Sequence, residues 1–174
     1  MRLVGGFAGA ALLVFGTAAS AQNGYQPPWP ASADDAMEWQ VEHIDAIPAA
    51  LVWSDGRIVA AMERETLKRS GNIVRAWFRW DALNAETAEE ISGRSLLVLR
   101  EMDCEGGRAR PLAMTVYAGN NLTGSSQSAE NPHAEWIYDR PGQLGEAQTA
   151  AACEGVFLFN DADVRRWIKE MSGR

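Results

Sequence analysis

The sequence predicts an α+β fold: an antiparallel β-sheet of hairpins, helices packed at one face, and a single disulfide. Three observations carry that expectation. Short β-branched and aromatic runs are separated by the turn signals Asp55-Gly56, Ser70-Gly71-Asn72 and Glu105-Gly106-Gly107-Arg108, and tight turns join antiparallel neighbours. Helix-period stretches stand toward the ends of the chain. Its two cysteines, Cys104 and Cys153, fall one at a hairpin and one in an Ala-rich helical stretch.

The elements follow in order. Arg2, the uncharged apolar run 3–19 and the small-x-small pattern Ala19-Ser20-Ala21 read as a signal peptide over residues 1–21, cleaved before Gln22. A membrane anchor fits less well, because the run is rich in Gly and Ala, short for a span, and followed at once by polar chain. Residues 22–35 form an extended leader, since Pro27-Pro28 excludes helix. Residues 36–155 are expected to make the main domain, with a C-terminal strand and amphipathic helix over 156–174 packed on it.

Within that domain, 34–47 carries Met37, Val41 and Ile44 at helical spacing and is ended by Pro48. Strands are expected over 49–54, 57–64 and 73–80, and 84–93 is a crossing loop or one helical turn. In the next hairpin Leu96, Val98, Met102 and Cys104 share the inward face, because side chains alternate with period 2. Leu112, Met114 and Val116 share a face of the return strand, with Thr115 and Tyr117 on the other. The Gly-, Asn- and Ser-rich stretch 118–133 reads as an exposed, mobile loop. A short strand over 134–139 stops at Pro141-Gly142, and a helix over 143–155 carries Cys153 in its last turn, with Gly155 as its stop. Finally, Val164, Trp167, Ile168 and Met171 make the stripe of a helix over 161–171.

Charge and cysteine chemistry narrow the function. A net charge of −7 argues against nucleic acid or anionic lipid as the main partner, since both need clustered Lys and Arg. After signal cleavage no run is long enough for stable membrane insertion. A cysteine nucleophile needs a histidine partner, and nothing ties His43 or His133 to Cys104. There is no C-x-x-C, and two scattered cysteines with two scattered histidines do not offer zinc spacing. An exported chain meets an oxidising compartment, where pairing of Cys104 with Cys153 is the default. The entropy removed from the unfolded chain by such a link is equivalent to about 4 kcal/mol.

Candidate site residues are few. Trp29, in the polar leader, is either an exposed binding anchor or docks back onto its own domain. Asp103, Arg108 and Arg110 are either a polar binding spot at the hairpin end or a surface salt bridge. Trp53, Trp77, Trp80 and Trp136 fall in or beside strands and read as packing residues. No catalytic residue, metal or cofactor is expected.

Three segments, 63-ERETLKRSGNIVRAW-77, 101-EMDCEGGRARPLAMTVYAGN-120 and 136-WIYDRPGQLGEAQTAAACEG-155, together resemble the surface-adhesin protein E-like domain, a family of exported bacterial proteins. The positions that carry the likeness are Glu63, Trp77, Asp103 with Cys104, Arg108 and Arg110, Tyr117, Trp136, Pro141 with Gly142, and Cys153. The resemblance covers roughly residues 50 to 155. It implies an antiparallel sheet flanked by helices, one disulfide, and adhesion as the family's named role. No cysteine lies near the cleavage site to take a lipid, so release as a soluble periplasmic or extracellular protein is expected. The resulting expectation is an exported, non-enzymatic binding module with a host or envelope protein as its partner. The alternative is a periplasmic enzyme inhibitor or small envelope enzyme. Pairing of two copies through sheet edges stays open.

Overall fold

A computed structural model of the chain describes residues 26–32, 35–45 and 50–158. The signal-like residues 1–21 and the expected helix over 161–171 lie outside the described residues. The elements are α1 (Ala36–His43), β1 (Leu51–Ser54), β2 (Ile58–Met62), a 3-10 turn (Arg64–Thr66), β3 (Lys68–Ser70), β4 (Ile73–Ala82), α2 (Ala85–Glu90), β5 (Ser95–Asp103), β6 (Arg108–Tyr117), β7 (Ser126–Glu130), β8 (Ile137–Tyr138) and α3 (Leu144–Glu154). The strands form one sheet in the order β1-β2-β4-β5-β6-β7, with all neighbours antiparallel. β3 pairs with the start of β4, and β8 with the start of β6.

Local chemistry sets the connections. The Asp55 carboxylate accepts from the backbone N–H groups of Arg57 and Ile58, each at 3.0 Å, while Gly56 takes φ +79°, so Asp-Gly turns β1 into β2. Asn84 caps α2 by accepting from Thr87 N at 2.9 Å, which makes the charged 84–93 stretch a short helix. Gly155 closes α3 in the left-handed region at φ +74°.

Alternation along β2 and β4 divides the core in two. Ala60, Met62, Val74, Ala76 and Phe78 join Leu96, Val98 and Met102 of β5 and pack against Ala151 and Ala152 of α3. Val59 and Ala61, pointing the other way, pack with Leu51, Leu83, Ile44 and Trp39 of α1. α1 and α3 therefore pack on opposite faces of the sheet, where the sequence placed the helices on one. The reason is that the early strands are apolar on both faces: every residue of β2 is buried. Among the described side chains of α1, the buried ones are Ala36, Trp39 and Gln40, and Ile44 is buried at its cap.

The inward face of β5 includes Arg100, 6% exposed and between Val98 and Met102. It is tolerated because its guanidinium donates to Asp139 at 2.8 Å, to Gln148 at 2.6 Å and to the carbonyl of Gly145 at 3.1 Å. The stretch 118–133 is not a mobile loop. It turns tightly and returns as β7, pairing Ser126–Glu130 with Ala113–Tyr117. Asn120 is buried and donates to Ala82 O at 3.0 Å, and Asn121 donates through its amide to His43 O at 2.7 Å. These asparagines bond the backbone of other elements, so a polar composition that suggests solvent instead supplies internal ties.

In the β5–β6 hairpin Met114 lies opposite Val98 and Val116 opposite Leu96, as period 2 requires, and a bulge at Leu112 shifts the register beyond them. Met114 is nevertheless 41% exposed. Residues 156–158 form no strand, although Leu158 N donates to Leu51 O at 2.8 Å.

Candidate binding site

The staple comes first. Cys104 and Cys153 are disulfide-bonded, with their Cα atoms 5.7 Å apart. The bond fixes the hairpin end to the last turn of α3. Arg69 of β3 reinforces the joint by donating to the carbonyls of Cys153 at 2.9 Å and Ala152 at 3.3 Å.

Beside that staple, register assembles a charged ladder on the sheet face opposite α3. β4 sets Arg75 across from Glu101, and β6 sets Arg110 across from Glu101 and Arg108 across from Asp103. Glu101 accepts from Arg75 Nε at 2.5 Å and from Arg110 Nε at 2.8 Å, with its side chain only 4% exposed. Burial alone would raise its pKa; the hydrogen bonds from Arg110 and Arg75 outweigh that and hold the carboxyl below its ordinary range. Asp103 accepts from the backbone N–H of Gly106 at 2.9 Å and from Arg108 Nε at 3.0 Å. Those two bonds, the backbone one first, also lower its pKa.

Trp136 covers this ladder. Its ring lies 4.5 Å from the Arg110 guanidinium carbon and 5.1 Å from that of Arg108. Arg110 also donates to Ala134 O at 3.3 Å, which anchors the chain just before the tryptophan. β8 then pairs Ile137 with Ala109 and Tyr138 with Arg108, and both of its side chains stand in solvent, 54% and 73% exposed. Three guanidiniums thus meet two carboxylates, and two of the guanidiniums, Arg108 and Arg110, lie beneath an aromatic ring with an exposed Ile-Tyr pair alongside. Arg110 spends its donors on Glu101 and Ala134, whereas Arg108, bonded to Asp103 through Nε, is 41% exposed and sets a charge beside the apolar Ile-Tyr pair.

The candidate residues are therefore partly united. Asp103, Arg108 and Arg110 come together, but in two pairs, Asp103–Arg108 and Glu101–Arg110. Trp136, expected only to pack, is the ring over both arginines. Arg75 and Glu101 were missed, although period-2 spacing from Asp103 put Glu101 on the same face. Trp29 is elsewhere: Arg94 lies 3.8 Å over its ring and Trp39 is 6.0 Å away, so it docks on its own domain and is not a free anchor. Among the described residues, no three or more His, Cys, Asp or Glu are grouped so as to hold a metal ion, and no helix is long and apolar enough to cross a membrane.

No curated protein matches this chain. The family model described as surface-adhesin protein E matches residues 51–154, which run from the first residue of β1 to the last of α3 and enclose the sheet, the staple and the ridge. The chain belongs to the surface-adhesin protein E family.

Proposed function

We propose that this protein is an exported, non-enzymatic binding module that grips a protein partner through the ridge formed by Arg108, Arg110, Trp136, Ile137 and Tyr138. One observation carries the reading: Trp136 stacked over two arginines, beside a Tyr138 side chain that is 73% exposed. Arg, Trp and Tyr are the side chains that concentrate binding energy at interfaces. Membership of an adhesin family supports contact with another protein as the role. The partner is a host or envelope protein offering a carboxylate to Arg108 and apolar surface to Ile137 and Tyr138. Export rests on the signal pattern of residues 1–21.

The test is site-specific photo-crosslinking in the exporting cell, with and without host matrix proteins. Benzoylphenylalanine is placed at Tyr138 and, as control, at the exposed Glu86 of α2. A discrete adduct from position 138, lost when Arg108→Ala and Trp136→Ala are added, supports the ridge. No adduct, or the same adducts from both positions, sinks it.

A further inference from the structure

The leader supplies its own evidence for a second binding surface. Gln26, Pro27 and Trp29 each precede a proline, and that neighbour biases a residue toward extended backbone. Residues 26–30 accordingly form neither helix nor strand. Their successive carbonyls are read by two side chains: Arg94 donates to Pro27 O at 2.8 Å, and the indole N–H of Trp39 donates to Pro28 O at 2.7 Å. The Arg94 guanidinium also covers the Trp29 ring at 3.8 Å. Trp39 is 7% exposed, so a largely buried ring turns its single donor toward a proline carbonyl. Burial lowers the pKa of Arg94, as expected for a cation drawn out of water to make these contacts.

This is the chemistry by which grooves recognise proline-rich chain: aromatic walls, an indole donor, and a ligand whose shape is set beforehand. The contacts address main-chain carbonyls and one aromatic ring, and none of them depends on the tether. Two hydrogen bonds, the ring contacts and the packing of Trp29 against the Trp39 cluster hold the leader as a latch, set against the ordering of five residues. We propose that the Trp39–Arg94 cradle is a receptor for an extended Pro-Pro-aromatic segment of a partner protein, kept closed in the free molecule by residues 26–30. The tether gives the leader an effective concentration of around millimolar, so a partner engages only by outcompeting it. This surface is separate from the Trp136 ridge and stands or falls independently of it.

The probe is a fluorescent synthetic peptide, Gln-Pro-Pro-Trp-Pro-Ala-Ser, titrated against full-length protein. Trp29→Ser loosens the latch without touching the cradle, and this variant should bind at least about tenfold more tightly than the unaltered chain. In the Trp29→Ser background, Arg94→Gln should abolish binding, and Trp39→Phe, which keeps a ring and removes the donor, should weaken it about tenfold. Circular dichroism and thermal melts confirm that each variant is folded. A peptide with its prolines separated should not bind. The proposal is overturned if Trp29→Ser fails to bind at millimolar peptide, or if folded Arg94→Gln and Trp39→Phe variants bind undiminished. It is also overturned if the unaltered chain dimerises through its leader while Trp29→Ser binds no peptide, which would give the cradle to a second copy.

Discussion

Glu101 and Arg110, on adjacent strands, meet at 2.5 Å while the carboxylate side chain is 4% exposed. A carboxylate so nearly excluded from water depends on its donors. Arg110→Ala is expected to lower unfolding free energy by about 1–3 kcal/mol, measured by urea titration. Arg75 also bonds Glu101 but is 55% exposed, so solvent screens its share. Arg75→Ala should cost no more than about 1 kcal/mol.

Acid should loosen the same ladder. Asp103 and Glu101 both have folded-state pKa values below their ordinary ones. Their stabilisation is therefore complete above the ordinary carboxylate range of about 4 and is lost as pH falls through the lower folded values. The urea midpoint should stay nearly flat from neutral pH to about 5 and fall below about 4. Arg108→Ala moves the Asp103 pKa back toward its unfolded value. Its midpoint should start lower at neutral pH, fall less steeply, and meet that of the unaltered chain in strong acid.

Arg100 ties α3 to the sheet through Asp139 and Gln148. Arg100→Met leaves Asp139, whose side chain is 10% exposed, without its cation. A loss of about 3–5 kcal/mol is expected. Adding Asp139→Asn should recover part of it, because the uncompensated charge goes too. Hydrogen exchange should show the amides of Leu144–Glu154 opening first.

Reducing Cys104–Cys153, which spans a sequence separation of 49, should lower stability by about 4 kcal/mol. Paired denaturation curves of oxidised and reduced protein measure this directly. Far-UV circular dichroism should be retained in the reduced form, because the ladders β2–β4–β5–β6 do not pass through the bond.

Much of this fold was legible because its turns are written in residues with one conformational use, such as Asp55-Gly56 and Gly155. The staple was legible because a chain with two cysteines offers one pairing. What escaped were positions where a polar side chain serves an internal partner. Arg100 occupies an inward period-2 site that a hydrophobic pattern skips, and its acceptors lie 39 and 48 positions away. Ser126–Glu130 carries no apolar alternation, so β7 owes its strand to the edge offered by β6. The arginine–tryptophan ridge was half-visible. Asp103, Arg108 and Arg110 announced themselves at the hairpin tip, but only the return of the chain through β8 sets Trp136 over the arginines.

The solitary cysteine pair has a consequence for how this molecule matures. Six cysteines would allow fifteen sulfur connectivities, most of them dead ends that an isomerase must undo. Here there is one intramolecular connectivity, and Cys104 precedes its partner along the chain. A chain emerging from its N-terminus holds a lone thiol while the return strand, β7, β8 and α3 follow. No wrong ring can close in that interval. The sulfur chemistry needs an oxidant and no proofreading.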